Sequence, residues 1–333
     1  MKARLKSLLQ YAIIILITSA LIWVSLRGLI VGEGENKTDF LWQTWEKSNK
    51  GYLVLMGVLA MASHLIRSIR WQMLLAPLGY TVGLGNSFLS IMIGYLVNLA
   101  IPRGGEVSRC YNLYKLDKTP PEISFGTVVA ERVVDIMFLL LLIGASFVAE
   151  WDKLTTFLSS LDVSTDGFTV SPWIIIGAVV IASTAIFLFF RFRKNEKLRK
   201  ILGGFKEGLL AVFQLKNKSL FVFYSLAIWG FYFLMSWAVI KAFPETSTLG
   251  FSAVLTLFAL GTIAMTVPLP GGAGSYHTIV PLGLVMLYNL PKPDAIAFVF
   301  VFHAWQTLIM IVAGVVSLII SYLIIRWRKP EIK

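Results

Sequence analysis

The sequence predicts an all-α fold: a polytopic membrane helix bundle with about six full transmembrane spans and two oppositely oriented re-entrant hairpins in an inverted repeat. Two observations predict the membrane class: 57% of the 333 residues are hydrophobic, and only 14% are charged. Soluble domains average about 45–50% apolar and about 25% charged residues. A third observation, the placement of Lys and Arg between the apolar segments, predicts the topology. We expect residues 1–333 to form a single integral membrane domain.

Nine apolar segments supply the predicted spans and hairpin limbs, and most are long enough to cross about 30 Å of hydrocarbon. The first follows a short basic stretch. We interpret it as a retained span, because it is longer than the core of a signal peptide and no small-residue cleavage site follows it. The segments are residues 8–30, 52–75, 84–101, 126–148, 172–190, 220–243, 251–268, 277–290 and 295–325.

Basic residues are concentrated in alternate connections, which the positive-inside rule places in the cytoplasm together with both termini. The connection at 191–218 carries nine Lys and Arg residues. Counting the membrane crossings before it places it in the cytoplasm only if residues 84–101 turn back instead of crossing. The same count, applied to the basic C-terminal tail, makes 251–290 a second re-entrant hairpin. The halves 1–149 and 172–333 then have opposite orientations, as in many secondary transporters. We expect the protein in the cytoplasmic (inner) membrane.

The net charge of +12 is explained by these cytoplasmic loops, so nucleic acid is excluded as a partner. The loop at 191–218 is basic and amphipathic, which indicates a helix on anionic headgroups rather than a site for a specific partner. The single cysteine, Cys110, excludes an internal disulfide and a cysteine-built metal site. Three scattered His residues do not favour a zinc site, and we expect neither a metal nor a cofactor.

The first hairpin turn combines helix-breaking residues with charges. Glycine N–H groups beside guanidinium groups suit a phosphate, although an ordinary Gly-Gly break between two helices has the same pattern. An Asn ahead of the turn fits either the site or a hydrogen bond between helices. The candidate binding residues here are Asn98, Arg103, Gly104, Gly105, Glu106 and Arg109.

Glu131, Arg132 and Asp135 are charged residues within an apolar helix, where unpaired charges are costly. Glu131 and Asp135 share a face as an i, i+4 pair, while Arg132 points about 100° away. Two carboxylates on one face repel each other unless a cation lies between them. A structural ion network and a site for a charged headgroup both remain open. The arginines that are candidates for this cation are Arg67, Arg70, Arg103 and Arg109.

The second hairpin turn contains Gly271 and Gly272, and His277 begins the half-helix that follows. Because His titrates near neutral pH, we assign His277 to the site. His303 and Gln306 lie inside the last span and are further candidates, with a packing role for His303 equally open.

His64, Arg67 and Arg70 close the second span and are secondary candidates. The pattern favours Arg67 and Arg70 as positive-inside anchors whose side chains extend to the membrane interface, rather than as ligands. His64 lies one turn deeper and is compatible with either role.

Three motifs together resemble the transmembrane domain of the lysylphosphatidylglycerol synthases, also called the flippase-like family. They are N-x3-P-R-G-G-E-x2-R at 98–109, E-R-x2-D at 131–135 and P-x-P-G-G-x-G at 268–274. The resemblance covers nearly the whole chain and implies an inner-membrane protein that moves aminoacylated phospholipids or related lipids between leaflets. It does not extend to the soluble aminoacyltransferase domain. His277 stands where the family often has Glu, so the resemblance does not define the headgroup.

The leading hypothesis is a lipid translocase whose basic turn binds an anionic or phosphate-bearing headgroup while the acyl chains stay in lipid. The alternative is a membrane enzyme acting on a lipid-linked substrate in glycosyl- or aminoacyl-lipid metabolism. The sequence contains no D-x-D metal motif and no nucleophile placed beside a base, so we assign no catalytic residue. A scaffold or receptor is a third possibility. Membrane lipids are the expected partners.

Overall fold

The structure is a computed structural model that describes residues 16, 18–27, 29, 36–160 and 196–327, without the side chains of 156–160, 197 and 198. All regular secondary structure in these residues is helical, and residues 18–27 form part of the predicted first span. The predicted span at 172–190 lies outside the described residues. The α-helices that follow residue 36 are α1 (Lys37–Lys47), α2 (Lys50–Leu75), α3 (Leu84–Ala100), α4 (Gly104–Asp117), α5 (Pro121–Ala149), α6 (Trp151–Ser160), α7 (Glu196–Leu210), α8 (Lys218–Ala242), α9 (Phe251–Thr266), α10 (Ser275–Tyr288) and α11 (Lys292–Trp327).

Four helices in the described part of the chain are long and apolar enough to cross a membrane: α2, α5, α8 and α11. The polytopic helical membrane class predicted from composition is therefore confirmed. Helix α5 starts at Pro121, earlier than the apolar segment predicted from residue 126. Proline is favoured in the first turn of a helix, and the residues before Gly126 continue the helix although they are less apolar.

Helices α3 and α4 form the first hairpin. Near its base Asn86 donates a hydrogen bond of 2.7 Å to Asp117, and near its tip the Gly105 N–H donates one of 2.7 Å to Asn98. The pairing of early with late residues makes the two limbs antiparallel, with the turn at 101–103. The limbs have 17 and 14 residues, fewer than the approximately 20 needed for a span.

Helices α9 and α10 form the second hairpin in the same way. Near its tip the Ser275 hydroxyl donates to the Ala264 carbonyl at 2.8 Å, and farther from the tip Gly283 packs against Leu260. These limbs have 16 and 14 residues.

The two hairpins enter the bundle from opposite ends. The base of the first lies beside the end of α2, where the Tyr80 N–H donates to the Leu75 carbonyl. The base of the second lies beside the end of α8 and therefore near the start of α2, because the Asn49 N–H donates to the Ala242 carbonyl at 2.6 Å. The described residues thus contain the order long helix, hairpin, long helix twice. Each hairpin also packs on a long helix of the opposite half: α3 of the first hairpin packs on α11, and α9 of the second hairpin packs on α5. The residue boundaries of the two halves stay a prediction.

The main apolar core lies between α2, α8, α10 and α11 and includes Leu53, Phe243, Leu284 and Phe298, all at most 2% exposed. It supports the second hairpin from one side and leaves the hairpin tips facing each other.

Helix α7, which forms most of the described part of the predicted basic loop, packs closely on α5. A Cβ atom at Gly126 would lie 2.3 Å from the Phe205 carbonyl oxygen, and one at Gly208 would lie 2.2 Å from that of Ile123. One face of α7 is therefore held by protein, while Ile201 on another face is 51% exposed.

Candidate functional site

A cavity of about 600 Å³ lies where the two hairpin tips meet. At this junction the Arg103 guanidinium donates a 2.8 Å hydrogen bond to the carbonyl oxygen of Thr266, and Leu99 packs against Gly271. Most of the wall is apolar or aromatic, and a charged sector comes from α2, α5 and the first turn. The charged and polar residues of the wall include His64, Arg67, Tyr95, Asn98, Arg103, Glu106, Arg132, Asp135, His303 and Gln306.

Behind the charged sector, arginines of α2 and α4 pair with the carboxylates of α5. Glu131 is 1% exposed and pairs with Arg109 and, at 3.5 Å, with Arg70. Asp135 pairs with Arg70 at 2.9 Å and with Arg67. Arg70 therefore lies between the two carboxylates and removes the i, i+4 repulsion expected from the sequence.

Aromatic residues complete the surroundings of these guanidinium groups. Arg67 donates a 2.8 Å hydrogen bond to the Tyr95 hydroxyl, and the Arg109 guanidinium lies 4.5 Å from the centre of the Trp71 ring. Because the network is almost fully desolvated, loss of one partner would leave an uncompensated charge. The network thus joins α2, α4 and α5 on one side of the cavity.

Arg132 and Glu106 form a more exposed pair at the cavity wall. Arg132 donates to Glu106 at 3.0 Å and lies 3.8 Å from Asp135. Its side chain is 38% exposed, so this pair is screened far better than the pairs of Glu131. The second oxygen of Glu106, Oε2, is buried and has no hydrogen-bond partner among the described residues.

Arg103 adopts a left-handed backbone conformation, with φ of 62°. This conformation costs a residue other than glycine roughly 1–2 kcal/mol. It directs the chain from α3 into α4 and places the guanidinium at the last carbonyl of α9, a group that has no partner within its own helix.

His64 is 5% exposed and lines the cavity. Its ring centre lies 4.4 Å from that of Tyr95, and neither ring nitrogen has a hydrogen-bond partner in the described part of the chain. Both nitrogens are buried and lack a polar partner in this arrangement of the described residues.

The second turn supplies the opposite part of the wall. Gly271 and Gly272 have φ of 57° and 73°, which favours glycine at both positions. His303 stacks on Tyr276 with 5.4 Å between ring centres, and Gln306 lines the cavity near it in sequence.

The structure places three sequence-predicted groups differently. His277 does not line the cavity: its Nδ1 accepts the Gly274 N–H at 3.3 Å, so it caps α10. Gly104 and Gly105 also lie outside the cavity wall. At Gly105 a Cβ would lie 2.1 Å from the Gly94 carbonyl oxygen, and its N–H already bonds Asn98, so close helix packing requires the glycine there.

The third correction concerns Arg67 and Arg70. Their interpretation as anchors extending to the interface was wrong, because the residues are 4% and 0% exposed and pair with carboxylates of α5. The sequence shows which residues are charged but not which helix faces them, so it did not distinguish a buried pair from a solvated cation.

Aromatic residues of the wall were missed, because Met and aromatic residues were assigned to lipid-facing packing. Trp229, Tyr232 and Tyr276 line the cavity together with Tyr95. A signal existed for Tyr95 alone: it lies three residues before Asn98 and therefore on the same helix face. No group of three His, Cys, Asp or Glu side chains that could hold a metal ion occurs in the described residues.

A comparison with known protein families places these features in a wider group. The family model described as the lysylphosphatidylglycerol synthase TM region matches residues 8–314. The chain belongs to this family. The three motifs noted in the sequence lie at the two turns and in α5 of this lysylphosphatidylglycerol synthase TM-region protein, which is a multi-pass membrane protein.

The relatives of this family member include membrane proteins of similar length. It is 27% identical to a UPF0104 membrane protein of Methanocaldococcus jannaschii, over 82% of this chain and 85% of the relative. It is 26% identical to a UPF0104 membrane protein of Methanothermobacter thermautotrophicus, over 80% and 83%. It is also 25% identical to the glycosyltransferase AglD of Haloferax volcanii, over 79% of this chain but only 48% of that protein. No solved structure matches the chain significantly.

Proposed function

We propose that the protein is a lipid translocase that moves a phospholipid or a lipid-linked headgroup across the cytoplasmic membrane. The observation that carries the proposal is the cavity between the hairpin tips, in which a charged sector faces an otherwise apolar wall. A headgroup that crosses hydrocarbon needs protein groups in place of its water shell. The charged sector supplies such groups halfway between the bases of the two hairpins.

The position of the cavity also suits a molecule that keeps its acyl chains in lipid. Ile136 of α5 and Met265 of α9 line the cavity and are 55% and 43% exposed, respectively. The cavity therefore borders the outer surface of the bundle between these two helices. A headgroup enters there without carrying the chains through the core.

The test is transbilayer movement of fluorescent phospholipids in liposomes that contain the purified protein, measured by dithionite quenching of the outer leaflet. Ser236→Trp places an indole in the cavity, since Ser236 lines it and its hydroxyl donates to the Tyr232 carbonyl of its own helix. We expect the rate to fall to that of protein-free liposomes.

The matched control is Ser219→Trp, which makes the same change at an exposed position of the same helix, outside the cavity wall. Wild-type rates are expected for this variant. No lipid movement with the wild-type protein, or equal rates in Ser236→Trp and wild type, would contradict the proposal.

A second candidate follows from the similarity to AglD, whose name is that of a glycosyltransferase and of which this chain matches about half. On that basis the cavity would hold a lipid-linked sugar, as substrate of a membrane enzyme or as cargo. Release of a labelled sugar from, or its transfer to, a lipid by the purified protein would favour the enzyme; movement of intact lipid without turnover would favour the translocase.

A further inference from the structure

The charges around the cavity do not balance. Within the described residues, the cavity wall and the network behind it contain five arginines but three carboxylates. The site thus carries a formal excess of two positive charges. The arginines are Arg67, Arg70, Arg103, Arg109 and Arg132, and the carboxylates are Glu106, Glu131 and Asp135.

Arg103 is the arginine of this set whose observed partner is neutral. Each of the other four lies within 4.0 Å of a carboxylate, whereas Arg103 donates to the backbone carbonyl of Thr266. Both residues line the cavity and their hydrogen bond is exposed, so Arg103 can leave this carbonyl for an acceptor in the cavity. Arg103 is therefore free to bind an anion without breaking an ion pair.

We propose that the headgroup bound in this cavity is a lipid-attached phosphate monoester with two negative charges, and that Arg103 binds it. This inference rests on the proposed lipid-translocase function and narrows its substrate class. A phosphate monoester carries about −1.5 to −2 charges at pH 7, which matches the excess of the site. A guanidinium is well suited to phosphate, because its N–H groups bind two oxygens at once.

The same balance disfavours other headgroups. A zwitterion such as phosphocholine leaves the excess charge uncompensated, and a lysylated headgroup adds positive charge to it. The network behind the cavity wall is almost fully desolvated, so its part of this mismatch is screened less than at a protein surface. The name of the family therefore does not describe the headgroup expected for this chain.

His64 provides an independent indication of a ligand. It is buried, lines the cavity and leaves both ring nitrogens without a partner in the described residues. Buried polar atoms normally have hydrogen-bond partners, so a polar group in the cavity is expected. In the complex we expect the ring N–H of His64 to donate to a phosphate oxygen.

The experiment compares four lipids with the same fluorescent acyl chain in protein-containing liposomes at pH 8, after subtraction of protein-free rates. The lipids are phosphatidic acid, phosphatidylglycerol, phosphatidylcholine and lysylphosphatidylglycerol. We expect phosphatidic acid to move fastest, about tenfold faster than phosphatidylcholine, since one charge-assisted hydrogen bond contributes about a factor of ten or more.

The variant Arg103→Asn removes the charge and keeps a residue that tolerates the left-handed conformation. We expect it to move phosphatidic acid about tenfold more slowly. Lys118→Asn is the matched control: Lys118 has φ of 58°, is exposed, and lies at the other end of α4. Lys118→Asn should retain the preference for phosphatidic acid. Arg103→Lys, which keeps the charge, should retain part of this preference.

A binding measurement separates a lipid from a soluble phosphate ester. Isothermal titration in detergent compares dihexanoyl phosphatidic acid with glycerol 3-phosphate, and tighter binding of the lipid supports the proposal. Equal binding of glycerol 3-phosphate would overturn it in favour of a soluble substrate. Equal movement of all four lipids, or fastest movement of lysylphosphatidylglycerol, would overturn the headgroup assignment while leaving lipid translocation intact. Movement of none of them would overturn both.

Discussion

Replacement of Glu131 by Gln tests whether the buried ion network stabilises the fold. The change preserves the shape of the side chain and removes one negative charge from a position that is 1% exposed. Arg70 keeps Asp135 at 2.9 Å, but Arg109 loses the carboxylate with which it pairs. One guanidinium that is 5% exposed then remains without a counter-charge.

The expected loss in free energy of unfolding is about 3–5 kcal/mol, the range for breaking a buried ion pair by removing one partner. The control is Glu106→Gln, which makes the same change opposite Arg132, a side chain that is 38% exposed. Exposed pairs contribute about 0–1 kcal/mol, so this variant should lose at most about 1 kcal/mol. The same type of substitution thus has two different expected results within one protein.

The assay is equilibrium unfolding in mixed detergent micelles, followed by circular dichroism. A double variant, Glu131→Gln with Arg109→Met, removes the uncompensated charge as well. It should be more stable than Glu131→Gln alone, because replacing both partners of a buried pair by uncharged groups is often nearly neutral. Equal losses for Glu131→Gln and Glu106→Gln, or additive losses in the double variant, would refute the reasoning.

Two further predictions concern the topology and the docking of α7. Cys110 is 2% exposed, so accessibility labelling requires new cysteines. In a Cys110→Ala background, Lys118→Cys and Lys206→Cys should both react only with reagent admitted to the cytoplasm. Labelling of the two positions from opposite sides of the membrane would exclude the predicted orientation. Gly208→Ala should lower the midpoint of thermal unfolding, because the added Cβ would lie 2.2 Å from a backbone oxygen of α5. The control is Gly203→Ala, whose Cβ would have no atom of the described residues within 4 Å. This variant should leave the midpoint unchanged or raise it, because Ala has a greater helix propensity than Gly. Equal midpoints for the two alanine variants would contradict the described packing of α7 on α5.

The class of fold was predictable because it depends on quantities that a sequence displays directly. The length and apolar content of the segments predicted the long helices. The placement of basic loops on one side of the membrane predicted two hairpins instead of two further spans. Pro102 and Gly104 marked the first turn, and the glycines at 271 and 272 marked the second. The Arg103–Thr266 hydrogen bond agrees with the expectation that the turns meet.

The partners within the site were less predictable, because they depend on how helices rotate about their axes. Glu131 and Asp135 were expected to need a cation, and four arginines were candidates. The structure selects Arg109, Arg70 and Arg67 and leaves Arg103 on a carbonyl oxygen. Single-residue patterns do not contain this information, since a shift of one residue turns the face of a helix by about 100°.

The pairing of α2 with α5 has a consequence for how the chain enters the membrane during synthesis. Arg67 precedes Asp135 by 68 residues, and Arg70 precedes Glu131 by 61. The ribosome therefore delivers both guanidinium groups well before the carboxylates that neutralise them. Until α5 is inserted, α2 lacks the carboxylates that pair with Arg67 and Arg70, so we expect residues 50–149 to reach their stable arrangement together.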